Sequence, residues 1–191
     1  MSSYHTESER ALTEMGLRMH DGDEISVLVG GLGLGYTAQE ALQSDRVARV
    51  EVVELLDPVI AWLDNGWLPT GDVLASDGRF LLTKGDIYAR LLGPVEHPAD
   101  MILIDVDHAP DEPLEPSSAA FYTTAGLRGV GEHLRPGGVL AVWSTFPNPT
   151  FEATLASVFD QVEVETVTWW NDLIDEEKVD TLFAARKKPA P

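Results

Sequence analysis

The fold of this chain is decided by the stretch VLVGGLGLG at residues 27–35. Its first half is apolar and, with the residues before it, predicts a buried strand over residues 25–29. Its second half is a series of closely spaced glycines, which allow a tight turn and let backbone amides approach a ligand without an intervening Cβ. A helix predicted over residues 37–43 points further amides at the same place. The stretch therefore predicts a strand–turn–helix unit that binds a ligand at its turn.

The glycines follow the pattern G-x-G-x-G over Gly31, Gly33 and Gly35. The dinucleotide fingerprint G-x-G-x-x-G fails, because the sixth position counted from Gly31 is Tyr36. A nicotinamide-dependent dehydrogenase is therefore disfavoured. The pattern present is typical of proteins that bind nucleosides without a pyrophosphate, above all S-adenosylmethionine. A tight turn without a ligand is the simpler alternative.

Outward from this stretch, apolar β-rich runs alternate with helical patterns. Such alternation predicts an α/β fold with a doubly wound, mostly parallel sheet of about seven strands. The last two strands lack an intervening helix, so we expect the final strand to be antiparallel. The predicted strands cover residues 25–29, 50–54, 79–82, 101–105, 139–143, 162–169 and 181–185, and the predicted helices cover residues 7–19, 37–43, 59–63, 119–134 and 151–159. Asp57 and Pro58 are the predicted N-cap and first residue of the third helix.

The chain has 191 residues, which favours one domain. We divide it into an N-terminal helical segment at 1–24, a nucleoside-binding α/β domain at 25–186 and a loose tail at 187–191. The sequence has no cysteine, which excludes disulfides, thiolate zinc sites and cysteine nucleophiles. Neither a signal peptide nor an apolar run of membrane-spanning length is visible, so we expect a cytoplasmic protein.

The charge balance is strongly acidic, with 32 Asp and Glu against 13 Lys and Arg, a net charge of −19 and a pI near 4.4. Such a surface repels phosphate backbones and anionic lipids, so we expect no nucleic-acid partner and no membrane docking. A cationic small molecule would be attracted. A general adaptation for solubility or salt explains the same charge without any ligand.

Ligands of open α/β sheets bind outside the carboxyl ends of the strands, so the residues that end each predicted strand are the candidates for a site. Glu54 ends the second strand and can accept hydrogen bonds from both ribose hydroxyls. Asp86 follows the third strand and can accept from an adenine amino group, while the backbone amide of Ile87 reaches a ring nitrogen. These residues and the glycines form the predicted nucleoside site.

The fourth strand ends in Asp105-Val106-Asp107-His108, the best catalytic candidate in the chain. Asp105 can bind an ammonium group, orient an amine nucleophile or accept its proton. His108 is a second candidate base near neutral pH, although an ordinary loop histidine fits equally well. Carboxylates and imidazole are also metal ligands, but no second cluster completes a coordination shell, so we predict no metal.

Five motifs in this order resemble the spermidine synthase (polyamine aminopropyltransferase) family, in a short stand-alone form. They are VLVGGLGLG at 27–35, VEVVELLDP at 50–58, KGDIYARL at 84–91, ADMILIDVDHAP at 99–110 and HLRPGGVLAVWS at 133–144. The resemblance implies a class I methyltransferase-like Rossmann fold that uses S-adenosylmethionine or its decarboxylated form as co-substrate. It also implies that Glu54 binds ribose, that Asp86 and Ile87 bind adenine, that Asp105 is the catalytic aspartate and that the acceptor is a polyamine.

The sequence departs from the family pattern at the acceptor side. Leu34 stands where the family's GGGDG loop has its Asp, and His108 stands where the D-x-x-D-P motif has its second Asp. We expect no counterpart of the family's N-terminal β-domain in these 191 residues, and Tyr4-His5 with Glu7 and Glu9 is only a short match to its Tyr-His-Glu segment.

Two functions therefore remain open. The first is a transferase that moves an aminopropyl or methyl group to a small acceptor, with Asp105 orienting the acceptor, His108 as a base and Tyr122 as a wall or hydrogen-bond donor. The second is a nucleoside-binding partner or sensor without catalysis. We expect a homodimer, from the family analogy and from the aromatic residues Trp62, Trp67, Trp169 and Trp170.

Overall fold

The computed structural model describes residues 6–113, 115–171 and 174–188. Its seven strands form one sheet in the order β3-β2-β1-β4-β5-β7-β6, in which β7 runs antiparallel to both neighbours and the others are mutually parallel. This confirms the predicted fold class. The strands are β1 Ile25–Gly30, β2 Val47–Glu54, β3 Phe80–Lys84, β4 Ala99–Ile104, β5 Leu134–Ser144, β6 Gln161–Asn171 and β7 Glu176–Arg186.

Helices cover both faces of this sheet. They are α1 Glu7–Met19, α2 Tyr36–Gln43, α3 Asp57–Asp64, α4 Gly71–Ser76, α5 Ile87–Leu91, α6 Thr124–Glu132 and α7 Pro149–Ala156, with a 3₁₀ helix at Pro116–Tyr122.

Three details of the helices differ from the sequence prediction. The helix predicted at 119–134 is split into the 3₁₀ helix and α6, because the Thr123 hydroxyl accepts a hydrogen bond from the Gly126 amide and caps a new helix there. Asp57 is the first residue of α3, and the N-cap is Leu56. The short helices α4 and α5 are absent from the prediction because each has too few residues to show a helical period.

The central strand β4 is apolar and buried on both faces, as parallel sheets covered by helices require. Met101 and Leu103 belong to the core beneath α1 and α2, and Ile102 and Ile104 belong to the core beneath α6 and α7. The alternation of side chains along one strand thus joins two apolar layers. Asp105, the next residue, leaves the sheet between these layers.

Two arginines fix the ends of helices on the first face. Arg46 donates to the carbonyl oxygen of Leu17, in the last turn of α1, at 2.9 Å and to that of Gly22, just beyond the helix, at 2.7 Å. Arg79 donates to the carbonyl oxygen of Leu42, near the end of α2. Because terminal helix carbonyls lack partners within the helix, the contacts with Leu17 and Leu42 satisfy such groups and fix the ends of α1 and α2.

The hairpin of β6 and β7 extends beyond β5. Pairing of β5 with β7 ends at Ser144 and Thr181, whereas pairing of β6 with β7 continues to Asn171 and Glu176. Residues 167–171 and 176–180 therefore form a two-stranded projection, the β6–β7 ribbon, past the carboxyl end of β5.

Two of the four tryptophans on which the homodimer prediction rests are exposed at the surface. Trp67 is 71% exposed and Trp170 is 51% exposed, whereas Trp62 packs on the core. The homodimer stays a prediction. Across the described ranges, no helix is long and apolar enough to cross a membrane.

The two ends of the chain lie partly outside the described residues, including Tyr4, His5 and residues 189–191. Within the predicted loose tail, the Lys187 amide donates to the Gly138 carbonyl at 2.8 Å and the Lys188 carbonyl accepts from the Gly137 amide at 3.2 Å. The chain is therefore hydrogen-bonded to β5 as far as Lys188.

Candidate active site

The carboxyl ends of β1, β2 and β4 open into a cavity of about 670 Å³, also bounded by α1, β5 and the β6–β7 ribbon. A volume of this size is typical of small-molecule sites. The structure brings every predicted site residue to its walls: Gly31, Gly33, Gly35, Glu54, Asp86, Ile87, Asp105 and His108.

The glycine loop has a backbone that only glycine adopts readily. Gly31, Gly33 and Gly35 all have positive φ angles, of 89°, 53° and 86°. A Cβ on Gly31 would lie 2.9 Å from the Asp105 carbonyl oxygen, so the loop also needs glycine to pack against the end of β4. The loop is thus held close to the predicted catalytic residue.

Glu54 lies at the end of β2 with only 6% of its surface exposed. One carboxylate oxygen accepts from the Leu32 amide and the other from the Leu56 amide, both at 2.8 Å. A buried carboxylate requires such donors. Each oxygen can accept further bonds, so Glu54 can hold the glycine loop and still accept from ribose hydroxyls.

Asp86 has a local structural role beside its predicted adenine contact. It is the N-cap of α5, and its Oδ1 atom accepts from the Tyr88 amide at 2.8 Å and the Ala89 amide at 3.2 Å. Ile87 follows as a buried residue of the second core, beside β1. The capping bonds fix the turn that places both residues on the cavity wall.

Asp105 is half-buried at the end of β4. Burial raises the pKa of its carboxyl group to about 6, the Thr37 hydroxyl lowers it through a hydrogen bond of 3.3 Å to Oδ2, and the nearby Asp180 raises it. Asp105 thus takes up and releases a proton close to neutral pH, as a group that accepts a proton from a substrate should.

His108 and Asp107 have opposite surroundings although they are neighbours. The His108 side chain is exposed, and its carbonyl oxygen accepts from the Thr145 amide at 2.8 Å, which ties the loop to the end of β5. Asp107 is only 3% exposed and accepts from the hydroxyls of Tyr88 and Tyr122, each at 2.7 Å. The structure therefore places His108 at the rim of the cavity and Asp107 in its wall.

Two further acidic residues reach the same end of the cavity, and neither is among the predicted site residues. Asp180 of the ribbon is buried and accepts from Ser8 Oγ at 2.5 Å and from Trp169 Nε1 at 3.0 Å. Glu9 lies in the first turn of α1, and burial, the Asp105 carboxylate and Asp180 together raise its pKa to about 7. The available signal for Asp180 is that it directly precedes the strand predicted at 181–185, and the amino end of an antiparallel last strand lies at the cavity edge.

The cavity is strongly acidic. Its described lining contains one histidine and neither lysine nor arginine. Field lines from several carboxylates in a concave site add up and attract cations. Across the described ranges, no group of three or more His, Cys, Asp or Glu residues could hold a metal ion. The lining carboxyl groups are those of Glu7, Glu9, Glu54, Asp86, Asp105, Asp107, Glu115 and Asp180.

No protein-family model and no curated protein sequence matches this chain. Solved structures do match. A spermidine synthase in complex with the transition-state analogue AdoDATO has 17% identity and a TM-score of 0.72, with 98% of this chain and 61% of that one covered. The spermidine synthase from Thermotoga maritima has 18% identity and a TM-score of 0.73, with 98% and 62% covered. The chain thus spans less than two thirds of the length of these enzymes.

A methyltransferase structure is similar to the same degree. Human methyltransferase-like protein 13, in complex with SAH, has 20% identity and a TM-score of 0.69, with 96% of this chain and 83% of that one covered. At such low identity these similarities define the fold alone. The chain has a class I methyltransferase-like Rossmann fold, and its resemblance to spermidine synthases is supported at that level.

Proposed function

We propose that this protein is a transferase that binds an adenosyl sulfonium donor and moves an aminopropyl or methyl group to a small cationic acceptor. The observation that carries the proposal is that Asp105 lines one cavity together with the nucleoside-type loop and interacts electrostatically with two further acidic residues, Glu9 and Asp180. The solved structures with AdoDATO and SAH support an adenosyl-based ligand for this fold.

The nucleoside end of the cavity fits such a donor. The glycine loop exposes backbone without side chains, Glu54 offers carboxylate oxygens for ribose hydroxyls, and the Asp86–Ile87 turn is fixed by its cap. The donor would supply a carbon activated by a sulfonium. Of the two forms, we favour decarboxylated S-adenosylmethionine, because the described lining has no lysine or arginine to pair with the carboxylate of the intact form.

The acidic end fits an amine acceptor. Glu9, Asp105 and Asp180 can pair with ammonium groups, and Asp105 can accept the proton that the attacking nitrogen must lose. The nitrogen lone pair forms the new N–C bond, the C–S bond breaks, and its electrons stay on sulfur as a neutral thioether. Holding amine and donor in line is the main contribution expected of the protein.

Calorimetry with four nucleosides tests the proposal: S-adenosylmethionine, its decarboxylated form, S-adenosylhomocysteine and methylthioadenosine. We expect the decarboxylated donor to bind more tightly than S-adenosylmethionine, and transfer to follow when a small diamine is added. Failure of all four to bind would refute the proposal. Tight binding with no transfer to any amine would instead favour a nucleoside-binding partner or sensor.

A further inference from the structure

A buried hydrogen-bond network lies in the wall of the cavity. The Oδ2 atom of Asp107 accepts from the hydroxyls of Tyr88 and Tyr122 at 2.7 Å each, and the two hydroxyl oxygens are 3.0 Å apart. Burial raises the pKa of both tyrosines well above the ordinary value, and Asp107 raises both further. Both phenols therefore stay protonated and act as donors.

The network joins three segments that bound the cavity. Tyr88 lies in the first turn of α5, directly after Asp86 and Ile87. Asp107 lies two residues after Asp105, in the loop that follows β4. Tyr122 is the last residue of the 3₁₀ helix.

Aromatic packing anchors the Tyr122 end. Its ring meets Phe121 edge-on with centroids 4.9 Å apart and Phe151 at 5.4 Å, and Phe151 meets Phe183 of β7 at 5.2 Å. Edge-to-face pairs of this kind hold rings in defined orientations. The hydroxyl of Tyr122 is therefore presented to Asp107 from a rigid core.

We propose that Tyr88, Asp107 and Tyr122 are positioning residues that hold the loop 105–108 against the nucleoside-binding turn 86–88, so that the acceptor end of the cavity is formed when the nucleoside binds. The inference rests on the proposed function for the identity of the ligand. Tyr88 and Asp107 line the cavity, whereas Tyr122 is not among the described lining residues. Tyr122 therefore acts on the loop from behind the cavity wall, through its contacts with Asp107 and Tyr88.

Hydrogen–deuterium exchange of the full chain, with and without methylthioadenosine, tests the network. Tyr122→Phe removes one donor from a buried carboxylate and keeps the ring packing. Because hydrogen bonds to charged groups are among the stronger ones, we expect exchange in residues 105–112 and at the Thr145 amide, which donates to His108, to rise about tenfold or more. Nucleoside affinity should change less than about threefold, a loss below that of one hydrogen bond.

The ligand response separates positioning from simple stabilisation. In the parent, we expect methylthioadenosine to slow exchange in both 86–91 and 105–112. In Tyr122→Phe it should still slow 86–91 but no longer slow 105–112. A purely structural role would loosen both segments alike. Thr181→Val is the control, since the Thr181 hydroxyl is buried without a hydrogen-bond partner among the described residues, and its removal should leave both responses unchanged.

The proposal would be overturned if hydrogen–deuterium exchange in the loop of Tyr122→Phe were as slow as in the parent. It would also be overturned if the nucleoside slowed exchange of the loop equally in variant and parent. If Tyr122→Phe does not fold, Asp107→Asn keeps the shape and one acceptor oxygen, and a loop as protected as in the parent would count equally against it. If methylthioadenosine does not bind the parent, the proposed function fails, while the comparison of the free proteins still tests the network.

Discussion

The proposed nucleoside end of the cavity, at the glycine loop, Glu54 and Asp86, and the proposed acceptor end, at Glu9, Asp105 and Asp180, are built in different ways. At the nucleoside end, Glu54 and Asp86 accept hydrogen bonds from backbone amides before any ligand arrives. At the acceptor end, Glu9, Asp105 and Asp180 come from three separate elements and act on one another as like charges.

This difference separates two kinds of binding. Amide donors stabilise a carboxylate and fix its direction, so the nucleoside end is already arranged for neutral hydroxyl and amino groups. Burial and, to a lesser degree, neighbouring acidic residues instead raise the pKa values of Glu9 and Asp105, and a bound cation would offset both effects. The acceptor end therefore gains electrostatic stability only when positive charge enters.

The largest expected effect is on turnover at the acceptor end. Asp105→Asn keeps the shape of the side chain but removes its charge and its ability to accept a proton. Turnover with a small diamine should fall about 10²-fold or more, the usual contribution of general acid–base catalysis. Nucleoside affinity, measured by calorimetry, should stay within a few-fold because Glu54, Asp86 and the glycine loop remain.

His108→Ala is the matched control for Asp105→Asn. Its side chain is exposed at the cavity rim, and the tie to β5 uses only its backbone carbonyl, which the substitution keeps. We expect a smaller loss of turnover than for Asp105→Asn. Full activity in Asp105→Asn, or a larger loss in His108→Ala, would move the catalytic centre away from Asp105.

The next effect concerns the nucleoside end. Glu54→Ala removes the proposed ribose acceptor and leaves the Leu32 and Leu56 amides without their partner, so nucleoside binding should weaken by about 1–3 kcal/mol. Asp57→Ala is the control, because it removes a nearby charge whose side chain is 74% exposed and paired with Lys84 at 2.5 Å. Calorimetry that finds the two variants equal would contradict the ribose assignment.

The nucleoside end could be predicted because each of its residues lies at the carboxyl end of a strand. Gly31 follows β1, Glu54 is the last residue of β2 and Asp86 lies two residues beyond β3, and parallel strands bring their carboxyl ends to one edge. Asp105 follows β4 in the same way. The mostly parallel sheet itself follows from the alternation of apolar runs with helical patterns.

The acceptor end could not be predicted in the same way. Glu9 reaches it from a helix that precedes the sheet, and Asp180 reaches it from the amino side of an antiparallel strand. Their positions depend on how α1 and the β6–β7 ribbon pack, which no local pattern encodes. The contact of Asp107 with two tyrosines likewise depends on the 3₁₀ helix, whose apolar spacing is similar to that of an α-helix.

The smallest effect concerns the pH dependence of stability at the acceptor end. The Glu9 pKa is raised from 4.5 to about 7, so the folded protein holds this proton more tightly than the unfolded chain does. The protonated Glu9 carboxyl group therefore contributes stability that is complete below pH 4.5 and is lost as the pH rises through about 7. Glu9→Gln removes the ionisation and should remove this part of the pH dependence.

Thermal unfolding of parent and Glu9→Gln at several pH values measures the difference. We expect the variant to be more stable than the parent by about 1–2 kcal/mol at pH 8, after allowance for partial solvent screening, and close to it at pH 4. Glu14→Gln is the control, because Glu14 is exposed on the same helix and should not show this pH-dependent difference.

A diamine that binds between the acidic residues should bind the parent more tightly as the pH rises from 5 to 8, since binding requires the ionised carboxylates. If Glu9→Gln has the same thermal stability as the parent at every pH, Glu9 does not face Asp105 and Asp180. The acceptor end would then be electrostatically as stable without a ligand as the nucleoside end.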